Sequence, residues 1–473
     1  MIEQENLAGW TAGHRRKEAG LISKEQLLDD LKSGQIDTVI FAFCDMQGRL
    51  MGKRLTAEYC LENQIDKGTH FCNYLLGTDF DMNTPPGFKA VNWAKGYGDW
   101  TAVPDWSTLR IVPWLDKSAL VFCNVEDAGT GASVSVVPRN LLKSQLKRAE
   151  ERGYSFMMAS ELEFYMFNEP FESIHEKGYQ NMKLAGHYNE DYNLLQGTRN
   201  EPFYQKIRRE MAACGLPVES SKGEAYSGQH EINLRYGQAL TAADNHIMFK
   251  HGMKEIAIQD GLSVTFMAKP DHEWTGSSGH IHISLWDTDE ENNLFYDSNE
   301  ADDHMSQKMR SFLAGVLAYT RDFALFFAPH INSYKRFRTE SWAPVNIAWS
   351  HDNRSAGYRI VGDKKSLRLE TRIPGADVNP YLAYTALIAS GLYGIEQGLE
   401  LADECQGNAY ELDVPKIPGS LYEAIQCFKE SDMVKTVLGE DIYEHYLHAA
   451  VLEQQMYDGV VTEWERKRYF EQG

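Results

Sequence analysis

Apolar and polar positions alternate with period two through several short runs, which predicts strands with one wet and one dry face. In SELEFYMF, residues 160–167, Glu161 and Glu163 share one face while Leu162 and Phe164 share the other. GHIHISLW places His280 and His282 opposite Ile281 and Ile283, and LRLETRIP places Glu370 and Arg372 opposite Leu369 and Thr371. SGQHEINLRY sets Glu231 in another β-like run, with Glu224 seven residues earlier in KGEAYSG. Near the start, DTVIFAFCD, MQG and RLMGKRL read as strand, turn and strand. Helical spacing appears elsewhere. Ser23 opens SKEQLLDDLKSG with Gln26 at the capping-box position and Gly34 as a stop. VVPRNLLKSQLKRAEERG carries Leu142, Leu146 and Ala149 on one stripe, with Pro138 in its first turn and Gly153 at its end. Further helices are expected near 200–214, 241–260, 303–326 and 379–399, the last capped by Asn379 ahead of Pro380.

This order predicts an α+β chain. Residues 20–130 are short-stranded and rich in Gly, Pro and Trp, with turns at NTPPG and GYGDW, and form a small domain. Residues 135–473 alternate strands and helices in a larger one. The 473 residues, 43% hydrophobic and 24% charged, supply ample core. A net charge of −21 argues against nucleic acid or an anionic membrane surface as the partner. The polar N-terminus has no apolar leader segment, and no run is long enough to span a bilayer. Seven scattered cysteines, none in a CxxC pair, fit reduced thiols in a cytoplasm rather than a zinc cage.

The alternation raises a chemical question, because carboxylates gathered on one face repel unless something positive lies among them. Each pair alone is an ordinary strand edge. Five glutamates and an imidazole backed by apolar faces form a set of oxygen and nitrogen donors suited to Mg²⁺ or Mn²⁺. Arg336, Arg354, Arg359, Lys365 and Arg372 add cations that match phosphate and carboxylate oxygens. Carboxylates for metals beside arginines for phosphates compose a phosphoryl-transfer site. No GxxxxGK[ST] or GxGxxG occurs, which disfavours a P-loop or Rossmann nucleotide site.

These segments, SELEF, KGEAYSGQHEIN, GSSGHIHIS, NSYKRF, SWAPVNIAWSHDNRSAGYRI and LRLETRIPGADVNPYLAYTAL, resemble the glutamine synthetase superfamily in order and over nearly the whole chain. The resemblance implies an N-terminal β-grasp domain and a catalytic domain whose curved antiparallel sheet is backed by helices. It also implies a homo-oligomer, a hexameric ring or paired rings, with each site shared between neighbours. By motif, Glu163, Glu224 and Glu231 match the ligands of one metal, and Glu161, His280 and Glu370 those of another. Arg336, Arg354 and Arg372 match catalytic arginines. Gly276, Arg336 and Arg372 match glutamate contacts, and Tyr236, His282, Ser284, Arg354, Arg359 and Lys365 match ATP contacts. Tyr236 reads equally as a core tyrosine. Tyr410, near the place where some bacterial members are adenylylated, reads as an unmodified surface residue.

The pattern departs from the family at one informative place. Ammonia-using members carry a glutamate six residues after the arginine of the YKR motif; here RFRTESWAP puts Trp342 there, with Glu340 two residues earlier. Asp79 or Asp81 of LLGTDFDMN stands where the family's second ammonium-binding carboxylate lies, and Thr275 replaces an asparagine before Gly276. An indole accepts no proton from ammonium, and it fills more volume. The expectation is an ATP-dependent ligase joining the γ-carboxyl of glutamate, through γ-glutamyl phosphate, to an organic amine. Aniline-like, alkyl and polyamine acceptors stay open, with Trp342, Glu340 and Asp79 lining the amine pocket. An ammonia-using glutamine synthetase and a non-catalytic structural relative are the alternatives.

Overall fold

The alternating segments are strands of two sheets. The computed structural model describes residues 20–300 and 303–473; the N-terminal stretch expected to lack an apolar leader lies outside the described residues. The first sheet contains β1 (Thr38–Cys44), β2 (Leu50–Thr56), β3 (Thr69–Cys72), β4 (Asp99–Pro104), β5 (Arg110–Ile111) and β6 (Ser118–Asp127). Its order is β2-β1-β6-β4-β3, with β5 beside β6; β1 and β6 are parallel neighbours and the other pairs antiparallel. β1 is an unbroken apolar run because it is buried along nearly its whole length.

The second sheet has nine strands: β7 (Tyr154–Phe167), β8 (Val218–Gly223), β9 (Gln229–Leu234), β10 (Gly237–Gln238), β11 (Ser263–Thr265), β12 (Gly279–Asp287), β13 (Trp349–His351), β14 (Tyr358–Val361) and β15 (Arg368–Thr371). The path runs β13-β14-β15-β12-β7-β9-β8, and β10 and β11 both pair with β7. It curls into a half-barrel, and every pair is antiparallel except β13 with β14 at one edge. Leu162, Phe164, Ile232, Ile281, Ile283 and Leu369 are buried on its convex side. The helices Pro138–Glu150 and Ala239–Gln259 pack on β7 from there.

The helix punctuation has local causes. Ser23 accepts a hydrogen bond from the Gln26 N–H, and Gly34 adopts the left-handed conformation at the stop. The reciprocal half of that capping box does not form: the Gln26 amide bonds Asp30 at 2.7 Å instead. The expected helix at 303–326 is two pieces, Gln307–Tyr319 and Ala324–Phe327, separated where the Thr320 hydroxyl bonds back to the Val316 carbonyl. Helix Pro380–Gln397 crosses Gln307–Tyr319 on a seam of Gly315, Gly391 and Gly394. A Cβ on Gly315 would lie 2.3 Å from the Ser390 carbonyl oxygen. The obstacle is backbone, so Gly315→Leu is expected to lower stability by about 3 kcal/mol, the upper end of overpacking costs. Urea denaturation checks this; an unchanged midpoint would show that the helices separate freely.

The two sheets share one continuous apolar core. Polar ties cross between them as well. The buried Arg139 guanidinium donates to both Asp244 oxygens at 2.9 Å, to Asp105 at 2.9 Å and to Asn124 at 2.6 Å. Arg110 donates to Asn245 at 3.0 Å, and the Asn379 amide donates to the Asp45 and Met46 carbonyls at 3.2 and 3.1 Å.

Candidate active site

Register assembles the site. β7 pairs with β12 so that Glu161 faces His280, and with β9 so that Glu163 faces Glu231. Glu370 of β15 faces His282 on one side and Arg359 on the other. Lys222 of β8 faces Glu231. The concave side therefore carries a row of ionisable groups across six strands, because the apolar residues of β7, β9, β12, β14 and β15 are committed to the opposite side.

Three groups of ligand atoms lie within 4.8 Å of one another: Glu163 with Glu224 and Glu231, Glu161 with Glu231 and His280, and Glu161 with His282 and Glu370. All six residues matched to metal ligands thus fall in one contiguous cluster. His282, matched to nucleotide contacts, joins it through a 3.0 Å bond from Nε2 to Glu161. His280 lies 3.3 Å from Glu161 and 3.6 Å from Glu370, while its Nε2 is buried with no hydrogen-bond partner among the described residues. An idle buried imidazole nitrogen amid carboxylate oxygens fits a divalent cation.

The electrostatics differ between the ends of the row. Burial, then mutual repulsion, raises the pKa of Glu163 and of Glu224 to about 7 and that of Glu231 to about 8. Lys222 opposes this by pairing with Glu224. At the other end burial works against ionised Glu161, but bonds from His280 and His282 outweigh it and hold Glu161 below the usual carboxylate range. Glu370, despite burial, sits at about 2, drawn down by the two histidines and Arg372. Burial and Arg372 keep His280 neutral at physiological pH, with a pKa of about 4.

Arg359 donates to Glu370 at 2.7 Å and Arg372 does so at 2.9 Å. The Arg372 Nε is a buried donor without a partner among the described residues. Arg336 is buried, donating to the Ile373 and Arg372 carbonyls and to the Ser278 hydroxyl. Gly276 abuts it: a Cβ there would lie 2.7 Å from the Arg336 Cγ. Arg354 and Lys365 are exposed on the adjoining turns. Ser284 is buried and accepts from the Trp286 indole, whereas Tyr236 is exposed beside Arg235, which disposes of the core reading of that tyrosine.

Trp342 projects into solvent, 63% exposed, from the turn after Arg336, and its carbonyl accepts a long 3.5 Å bond from Arg372. Glu340 and Trp342 both have left-handed backbone, φ 60° and 64°, at a cost of roughly 1–3 kcal/mol each. Asp79 stands apart from this row. With Phe80, His330 and Glu453 it lines a hollow of about 80 Å³ against the helix Glu440–Asp458. Tyr410 is half-buried rather than a surface tyrosine, and its hydroxyl donates to the Ala343 carbonyl at 2.9 Å.

Sequence reading passed over three supporting groups. Lys222 and Arg368, which donates to His282 at 3.1 Å, each lie two residues before a matched glutamate, so the same alternation marked them. Gln229 bonds Glu163 and the Gly276 carbonyl, linking two motifs that are distant in sequence.

A concave sheet lined with carboxylates, a free imidazole nitrogen and buried guanidinium groups defines an enzyme of metal-assisted phosphoryl transfer. The profile described as glutamine synthetase, catalytic domain, matches residues 135–469, and the chain belongs to that family. It is 46% identical over 449 residues to gamma-glutamylethanolamide synthetase GlnA4 of Streptomyces coelicolor, covering 94% of this chain and 95% of that protein. Glutamate–isopropylamine ligase of a Pseudomonas species is 37% identical over 456 residues, covering 95% and 99%. Among solved structures, the ligand-free form of GmaS superposes with a TM-score of 0.82 at 25% identity, over 94% of this chain and 99% of that one.

Proposed function

We propose that this protein is an ATP-dependent ligase that joins the γ-carboxyl of glutamate to a small primary amine. One observation carries the choice of acceptor: the side chain presented on the turn after Arg336 is the indole of Trp342. The relatives that act on ethanolamine and isopropylamine support an aliphatic amine.

In this reading a γ-carboxylate oxygen of glutamate attacks the terminal phosphorus of ATP, ADP leaves, and γ-glutamyl phosphate forms. The amine nitrogen then attacks the acyl carbon, the C–O bond to phosphate breaks, and the nitrogen loses a proton. Glu161, Glu163, Glu224, Glu231, His280 and Glu370 would hold divalent cations, which neutralise phosphate charge when bound. Arg336 and Arg372 orient the glutamate γ-carboxyl, with the free Arg372 N–H as a donor toward it. Arg354, Arg359, Lys365, His282 and Ser284 face the triphosphate, and Tyr236 meets the adenine. Trp342 walls the amine pocket and Glu340 takes the proton that an indole cannot accept. The working unit is a ring of subunits, in which the Asp79 loop of one copy completes a neighbour's pocket. Among the described residues no helix is long and apolar enough to cross a membrane.

The test is phosphate release from ATP, Mg²⁺ and glutamate with a panel of ethanolamine, isopropylamine, aniline, spermidine and ammonia, with mass detection of the γ-glutamyl product. Activity confined to ammonia rejects the proposal. In the same assay Trp342→Glu is expected to raise kcat/KM for ammonia and lower it for isopropylamine, each by about tenfold. An unchanged amine preference removes Trp342 from the pocket.

A further inference from the structure

We infer that Tyr410 is a positioning residue whose hydroxyl latches the Trp342 turn and thereby sets the shape of the acceptor pocket. The turn is strained, with Glu340 and Trp342 both left-handed although neither is glycine. Such backbone persists only where the surroundings over-determine it. Within the turn the bonds are local: the Ser341 N–H donates to the Arg338 carbonyl at 3.2 Å and its hydroxyl reaches the Arg336 carbonyl at 3.3 Å. The Ser341 hydroxyl donates to the Arg338 carbonyl at 2.6 Å, and Arg372 reaches the Trp342 carbonyl only at 3.5 Å. The 2.9 Å bond from the Tyr410 hydroxyl to the Ala343 carbonyl pins the far end of the turn.

The latch is itself mounted rigidly. Tyr410 lies in the 3-10 turn Ala409–Glu411, capped by the Asn408 side chain. The Asn346 amide donates to the Ala409 carbonyl at 2.6 Å and to that of Leu412 at 3.2 Å. The Ala409 N–H donates to the Ser355 hydroxyl at 2.9 Å, next to Arg354. Arg336, Arg372 and Glu340 are the charged groups facing the hydroxyl. The tyrosine therefore ties the segment holding Arg354 to the turn presenting Trp342. It touches no reacting atom in this arrangement; it acts through Ala343.

The inference rests on the reading of Trp342 as a pocket wall, and its test separates the two. Hydrogen exchange of peptides covering 338–345 is compared between wild type and Tyr410→Phe, which keeps the ring and removes only the donor. Exchange is expected to quicken about fivefold, as befits one lost neutral hydrogen bond, with KM for isopropylamine rising by a similar factor and KM for ATP unchanged. Ser341→Ala, which loosens the same turn elsewhere, should move both readings in the same direction. Unchanged exchange in Tyr410→Phe overturns the latch, and so does an equal rise in KM for ATP. If no organic amine is turned over, the ligase proposal falls, while the exchange measurement still decides the role of Tyr410.

Discussion

Glu370→Gln is expected to lower turnover at least about a thousandfold and to cost roughly 3–5 kcal/mol of stability, as breaking a buried ion pair does. The side chain is 1% exposed and accepts from Arg359 and Arg372 on separate oxygens. Glutamine keeps the shape but removes the charge that both guanidinium groups share, and one acceptor becomes a donor aimed at a cation. Arg372 is left buried without its counter-ion. A carboxyl depressed to about 2 contributes stability that is present above its ordinary pKa and lost as the pH falls through the folded value. The variant should lack that acid-sensitive component. Thermal denaturation between pH 2 and 7, with phosphate release alongside, measures both parts; activity within tenfold of wild type would show that Glu370 is a spectator.

Divalent-ion binding is expected to strengthen steeply between about pH 6 and 8.5 and to release protons as it occurs. Glu163, Glu224 and Glu231 are raised to about 7, 7 and 8, so part of this cluster is protonated at neutral pH. A carboxyl raised above its unfolded value favours the fold at low pH and disfavours it as the pH climbs through the folded value. With chelator present, stability should therefore decline from the ordinary carboxylate range, about pH 4.5, to about pH 8 and level off above it, and Mn²⁺ should restore it most at the alkaline end. Calorimetry in buffers of differing ionisation enthalpy counts the protons. Binding that is flat with pH and releases none would mean that these three carboxylates do not hold the ion.

Much of the fold was legible because its central strands keep strict alternation: β7, β12 and β15 follow Glu161–Glu163, His280–His282 and Glu370–Arg372 directly. Legibility faded where a strand is polar on both sides. β8, reading VESSKG with an irregularity between Val218 and Ser220, has no apolar period to announce it. The parallel β13 is three residues long, too short for any pattern. Within the site, residue types revealed donors but not their partners. That Lys222 pairs with Glu224, Arg368 with His282 and Tyr410 with Ala343 depends on register and turn geometry that no single segment encodes. Left-handed φ at Glu340 and Trp342 is likewise imposed by tertiary contacts, since neither residue favours it.

The crossing ties between the two sheets bear on how the chain can be divided. Arg139 belongs to the larger part by sequence, yet two of its four acceptors, Asp105 and Asn124, come from the smaller. Asn379, which starts the long helix after Glu370, spends its amide on Asp45 and Met46. Severed at residue 135, the remainder would keep every matched site residue except Asp79 but strand a guanidinium and an amide inside a half-uncovered core. The smaller sheet is a keystone of the fold and no mere appendage, so catalytic competence belongs to the undivided polypeptide.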